Sequence, residues 1–267
     1  MQSNNPVLSR AFRSPTSTYQ TPAPSAQELE QMYQTTPAVK TGQMTYDEVV
    51  VKTGILLAIV VAGAAVGWQM PGLAFPAMII GLVLGLVNAF KKEPVPALMI
   101  AYAAFMGLFL GGISFVFENV VVMGDAQTGQ PLNGIVAQAI IGTMGVFGVS
   151  LWAYRSKRIR VTPKFQRGVL IALGGYLVFS VVNLLFMWFG SSDSPLGFRQ
   201  GWLGIAIGLF AITLAALVLI LDFDFIDKGV QAGIPVKYAW TAAFGLTVTL
   251  IWLYIEFLRL LAILRGE

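Results

Sequence analysis

Hydrophobic and polar positions along the chain fall into seven long apolar runs separated by short polar breaks. The runs cover about residues 49–68, 73–90, 95–117, 134–154, 165–189, 202–221 and 238–264. Each approaches the roughly 20 residues that carry a helix across about 30 Å of hydrocarbon at 1.5 Å per residue. The runs are continuous and do not alternate with period two. In lipid only helices and closed barrels satisfy the backbone, so the pattern predicts helices. The fold class is therefore all-α, a polytopic membrane protein of seven transmembrane helices.

Local signals mark the ends. Thr45 with Glu48 three residues on fits a capping box, and Asp47 also lies in that first turn. "QMPG" at 69–72 turns the chain, and Lys91-Lys92 closes the second run. Small residues recur at four-residue spacing, as Gly81 and Gly85, Gly107 and Gly111, and Gly204 and Gly208. Such pairs let helices approach closely.

Residues 1–44 break the pattern. They are rich in Pro, Ser, Thr, Gln and Asn and cannot bury enough apolar surface to offset their ordering entropy. This predicts a disordered cytoplasmic tail ahead of a membrane domain at 45–267. The segment lacks the apolar core of a signal peptide, so no cleavage is expected. The tail reads either as a solvated extension or as a partner-binding segment.

Composition narrows the chemistry. The chain of 267 residues is 56% hydrophobic and 11% charged, far below the roughly 25% charge of a soluble domain. It has no Cys and no His, which excludes thiolate and imidazole nucleophiles, disulfides, and metal or haem ligation through those residues. The net charge of +4 does not indicate nucleic acid, because the basic residues lie between spans. Arg10, Arg13, Lys40, Lys52, Lys91, Lys92, Arg155, Lys157, Arg158, Arg160, Lys164, Arg167, Lys228 and Lys237 all fall on one side of an alternating path. Only Arg199, Arg259 and Arg265 fall on the other. Fourteen against three predicts a cytoplasmic N-terminus and an odd number of spans. The 3–4 loop, with Glu118 and Asp125 and no Lys or Arg, suits the outside.

Ionisable residues inside spans are costly and so are the first functional candidates. Glu256 lies within the seventh run, with Arg259 three residues on and on the same helical face. The two form either a structural pair or a titrating site facing the bundle interior. Asp222, Asp224 and Asp227 cluster where the sixth run ends, beside Lys228. Asp222 is the most embedded, and Asp224 points to the opposite side of the helix. A hard cation such as Ca²⁺ would need further oxygens from another span. No EF-hand, P-loop or dinucleotide motif is present. No resident cofactor is expected, and Ca²⁺ or H⁺ would act as transported or regulatory ions.

The residues also resemble a known family. The third span reads "AYAAFMGLFLGGISFVFE", the sixth ends "LILDFDFID", and the seventh reads "WLYIEFLRLLAIL". Together these look like the Bax inhibitor-1 family, in its bacterial YccA-like branch. "NPVLSRAF" and "MTYDEVVVKTG" are similar to an actinobacterial-type subgroup. The resemblance covers about 45–264 and leaves the tail outside. It implies six helices in two layers around a central seventh. It also implies a pH-sensitive Ca²⁺ leak channel or regulator of ion balance in the bacterial plasma membrane. An acid on span six and one on span seven would share a proton, here Asp222 and Glu256, while Lys91 or Lys92 would latch the span-six acid. Glu256 stands where the family carries Asp. Asp222 and Glu256 are 34 positions apart, and a straight helix from Tyr238 sets Glu256 about 27 Å along its axis. The two meet only if part of 229–245 is interfacial or re-entrant. The competing function is a membrane interaction protein that modulates a membrane protease or another membrane partner. No enzyme is expected, because no soluble portion is long enough for an enzyme domain, and an intramembrane enzyme, the third reading, would need a catalytic pair of acids on facing spans.

Overall fold

The computed structural model describes residues 42–119, 134–159, 161–189 and 201–266. These form α1 (Tyr46–Gln69), α2 (Ala74–Phe90), α3 (Pro96–Asn119), α4 (Ile135–Arg155), α5 (Pro163–Phe189), α6 (Gly201–Gln231) and α7 (Ala239–Gly266). Single 3₁₀ turns at Pro71–Leu73 and Val236–Tyr238 lead into α2 and α7. All seven helices are long and apolar enough to cross a membrane.

Helix starts follow the polar residues that flank the runs. The Glu48 N–H donates to Thr45 Oγ1 at 3.3 Å. The Glu48 carboxylate turns forward to Lys52, so only the first half of the expected capping box forms. Pro96 and Pro163 open α3 and α5, where a missing N–H costs nothing. Thr162 Oγ1 accepts from the Phe165 N–H at 3.2 Å. Glu118, at the end of α3, caps the next helix instead of its own. Its carboxylate accepts from the Gly134 N–H at 2.5 Å and the Val136 N–H at 3.1 Å. An anion at a helix N-terminus satisfies orphan donors and opposes the helix dipole. Asp125 lies outside the described residues.

One boundary differs from the hydropathy reading. Span six was expected to end at Leu221, but α6 runs on to Gln231. The acids do not break it because each finds a local partner, described below. A helix ends where backbone geometry fails, here at Gly233 with φ +64° and Pro235 beyond it. Asp222 therefore lies nine residues inside the helix, about 14 Å from its end. α7 is then continuous through Gly245, and no re-entrant stretch forms.

The centre of the bundle is α7. Of its most apolar stretch, 61% is buried, against 17–39% for the other six helices. Its residues enter three of the four buried clusters, with α6, with α1 and α3, and with α4. The fourth cluster joins α5 to α6, with Trp252 of α7 packed against it. Among the described glycines the tightest backbone contacts join α1 to α3. A Cβ added at Gly111 would stand 2.0 Å from the Ala64 carbonyl oxygen, and one at Gly67 2.1 Å from that of Leu108. Lipid gives helices no hydrophobic drive to associate, so this backbone-to-backbone approach supplies the dispersion contact that holds them. Gly81 and Gly85 meet Met106 and Tyr102 of α3, and Gly208 meets Leu260 of α7.

Of the segment expected as a tail, residues 42–44 are described, and they are fastened down. The Met44 N–H donates to the Ile234 carbonyl and the Val236 N–H to the Gly42 carbonyl, both at 2.8 Å. Gln43 bridges Pro235, and Met44 is 1% exposed in the core beside Leu219 and Phe223. Residues 1–41 lie outside the described residues. The same contacts gather the start of α1 and the α6–α7 turn at one end of the bundle. Lys237 adds an ion pair to Glu93 of the α2–α3 loop at 3.2 Å.

Candidate functional site

Asp222 projects from α6 onto α7. Thr249 Oγ1 donates to its Oδ2 at 2.8 Å. A Cβ added at Gly245 would lie 3.7 Å from Asp222 Oδ1, so the carboxylate rests on α7 where the helix carries no side chain. The Thr249 hydroxyl also lies 3.1 Å from the Gly245 carbonyl oxygen, a second acceptor for its single proton. Among the described residues Asp222 makes no ion pair. It is a carboxylate within a candidate span, with a hydroxyl partner and, among the described residues, no ion pair.

Glu256 occupies a separate site on the same face of α7. It lies seven residues beyond Thr249, which is two turns or about 10 Å along the axis. It is 2% exposed. Its Oε1 accepts from Arg259 Nη1 at 2.9 Å, from Trp252 Nε1 at 3.3 Å and from the Tyr176 hydroxyl of α5. The Tyr176 and Trp252 rings stack at 5.4 Å between centroids. Arg259 compensates the carboxylate's charge, and its partly exposed side chain leads out of the bundle.

The pairing expected between Asp222 and Glu256 does not form. Asp222 bonds Thr249, and Glu256 turns to α5 and to its own helix. Nor do Lys91 or Lys92 latch Asp222. Both are exposed at the end of α2, whose packed face is turned to Met106 and Tyr102 of α3, while Asp222 faces α7. The loop contact runs with the opposite polarity, from the acid Glu93 to Lys237.

The remaining acids of α6 are separately satisfied. Asp224 pairs with Lys228 one turn on, at 2.5 Å. Asp227 accepts from two phenols, Tyr46 of α1 and Tyr154 of α4, the latter at 3.1 Å. Among the described residues no three acids converge into a metal-type cluster. Sequence reasoning missed Thr249, Tyr176 and the two phenols. Their signal was available for α5, where Val169, Tyr176 and Asn183 recur every seven residues and are the buried positions among its described side chains.

Seven apolar helices with two carboxylates set inside them define a multi-pass membrane protein. The chain belongs to the Bax inhibitor 1 like family, whose model matches residues 5–266. The match begins well before residue 45, so the N-terminal segment expected to lie outside the resemblance is largely part of it. This family is not a family of enzymes. No curated protein matches the chain.

Proposed function

We propose that the protein is a pH-sensitive cation leak channel, with Ca²⁺ as the cation and Asp222 as its proton-sensitive group. The observation that carries this reading is Asp222 itself, a carboxylate within a span that has a hydroxyl partner and, among the described residues, no ion pair. Intramembrane carboxylates of this kind mark ion and proton pathways. The hydroxyl of Thr249 gives the site two hydrogen-bond arrangements. With Asp222 ionised, Thr249 donates to the carboxylate. With Asp222 protonated, the carboxyl donates to Thr249 Oγ1, and the Thr249 proton turns to the Gly245 carbonyl. The two arrangements differ in charge and in the grip of α6 on α7, so proton uptake biases a two-state hairpin. Glu256, paired with Arg259 and bonded by the Tyr176 hydroxyl, sets α5 against α7 in this reading.

Membership of a family linked to calcium leak supports the same reading. The gathering of basic residues at the α2–α3, α4–α5 and α6–α7 ends supports a plasma-membrane orientation with the N-terminus inside. The experiment is Ca²⁺ flux from liposomes holding the full chain, measured against pH. Flux that changes with pH in the native chain and loses that dependence in Asp222→Asn is the expected result. Absence of flux at every pH, with insertion verified, overturns the reading.

A further inference from the structure

A cleft of about 890 Å³ opens at the end of the bundle where α4, α6 and the start of α1 meet the α4–α5 connection. It lies where α6 faces α4. Its walls are apolar, with Leu151 on α4, Ile159 and Val161 in the connection, and Phe223 on α6. Leu151 is 39% exposed, so the cleft lies open on its α4 side. The polar groups divide into two sets. Asp224 and Asp227 are already held, by Lys228 and by the two tyrosines. Arg155 and Lys157, which also line the cleft, are exposed and make no ion pair among the described residues. Asp224 is neutralised by Lys228, and Lys157 acts through space on Asp227, so the two cations exceed the one remaining acid and the excess favours an anion over the apolar wall.

The location narrows the ligand. Arg155 is the last residue of a span, at the depth where headgroups lie. Trp152, one turn earlier, is 58% exposed and carries the Arg158 guanidinium over its ring at 5.1 Å, as in an interfacial aromatic belt. A basic pocket between spans at this depth matches a phosphate on a lipid anchor. We infer that this cleft is a binding site for an anionic phospholipid, its phosphate held between Arg155 and Lys157 and its upper acyl chain laid along Leu151 and Phe223. A bound lipid would tie the α4–α5 connection to α6.

The test uses the full chain in phosphatidylcholine bilayers doped with phosphatidylglycerol. The quantity read is phosphatidylglycerol retained on the protein after detergent extraction, by native mass spectrometry. The double variant R155Q/K157Q should retain about tenfold less or lower, while K91Q/K92Q, which removes the same charge elsewhere on that end, should retain the native amount. Ile159→Trp, which fills the cleft and keeps both cations, should also release the lipid. Equal retention in R155Q/K157Q and the native chain overturns the inference, as does equal loss in K91Q/K92Q. Displacement of the lipid by free glycerol phosphate at comparable concentration overturns it in favour of a soluble anion. Circular dichroism and monodispersity confirm that each variant is folded before it is compared.

Discussion

Thr249 Oγ1 and Asp222 Oδ2 stand 2.8 Å apart across the α6–α7 hairpin, and the same hydroxyl has the Gly245 carbonyl at 3.1 Å as its other acceptor. One proton serves two acceptors, so the charge on Asp222 decides where it goes.

Substitutions at this contact separate hydroxyl chemistry from shape. Thr249→Val keeps the volume and removes the hydroxyl, and it should displace the midpoint of the flux–pH profile. Thr249→Ser should preserve that midpoint. Identical profiles for Thr249→Val and the native protein would show that the hydroxyl takes no part in the response.

The Glu256–Arg259 pair makes an asymmetric stability prediction. Removing one partner of a buried pair leaves the other uncompensated, at about 3–5 kcal/mol. Glu256 is buried, whereas Arg259 is partly exposed and its long side chain can reach toward the membrane interface. Arg259→Gln should therefore destabilise more than Glu256→Gln, and the double variant should recover part of the loss. Unfolding in mixed micelles with added SDS reads the order directly.

The α1–α3 crossing admits no side chain at Gly111. Gly111→Ala places a methyl 2.0 Å from the Ala64 carbonyl oxygen, and the forced separation should cost at least about 1–3 kcal/mol. Gly174→Ala, where nothing lies within 4 Å, should be neutral or slightly stabilising by helix propensity. A thermal shift of similar size in both variants would refute close packing at this crossing.

Met44 tests whether the strap of residues 42–44 contributes to the fold. It is fully buried against α6, and Met44→Ala should cost about 2–5 kcal/mol. Hydrogen exchange should report it most clearly at the Met44 and Val236 amides, whose bonds join the strap to the α6–α7 turn. Unchanged protection at both amides would mean that the strap holds without its side-chain anchor.

Much of the architecture was legible in the linear pattern, because a membrane span must be long, apolar and helical regardless of its neighbours. Thr45, Pro96, Pro163 and the Gly107–Gly111 spacing each act within a turn or two of their own position, so their roles could be read locally. The i, i+3 pairing of Glu256 with Arg259 is likewise local, and the structure has it. Hydropathy misjudged the end of α6. It scores Asp222, Asp224 and Asp227 as if each faced lipid or water alone, and Thr249, Lys228, Tyr46 and Tyr154 satisfy them.

The sequence by itself determined seven apolar helices, their alternation across the membrane, and the rarity of charge within them. Each follows from the cost of placing polar groups in hydrocarbon. Only the tertiary structure decided which carboxylates meet which partners. Asp222 meets α7 at Thr249, two turns before Glu256, which turns instead to α5. That separation depends on how far α6 extends before Gly233 and on where α7 then begins its antiparallel return. Both are set by packing between helices that no local pattern encodes.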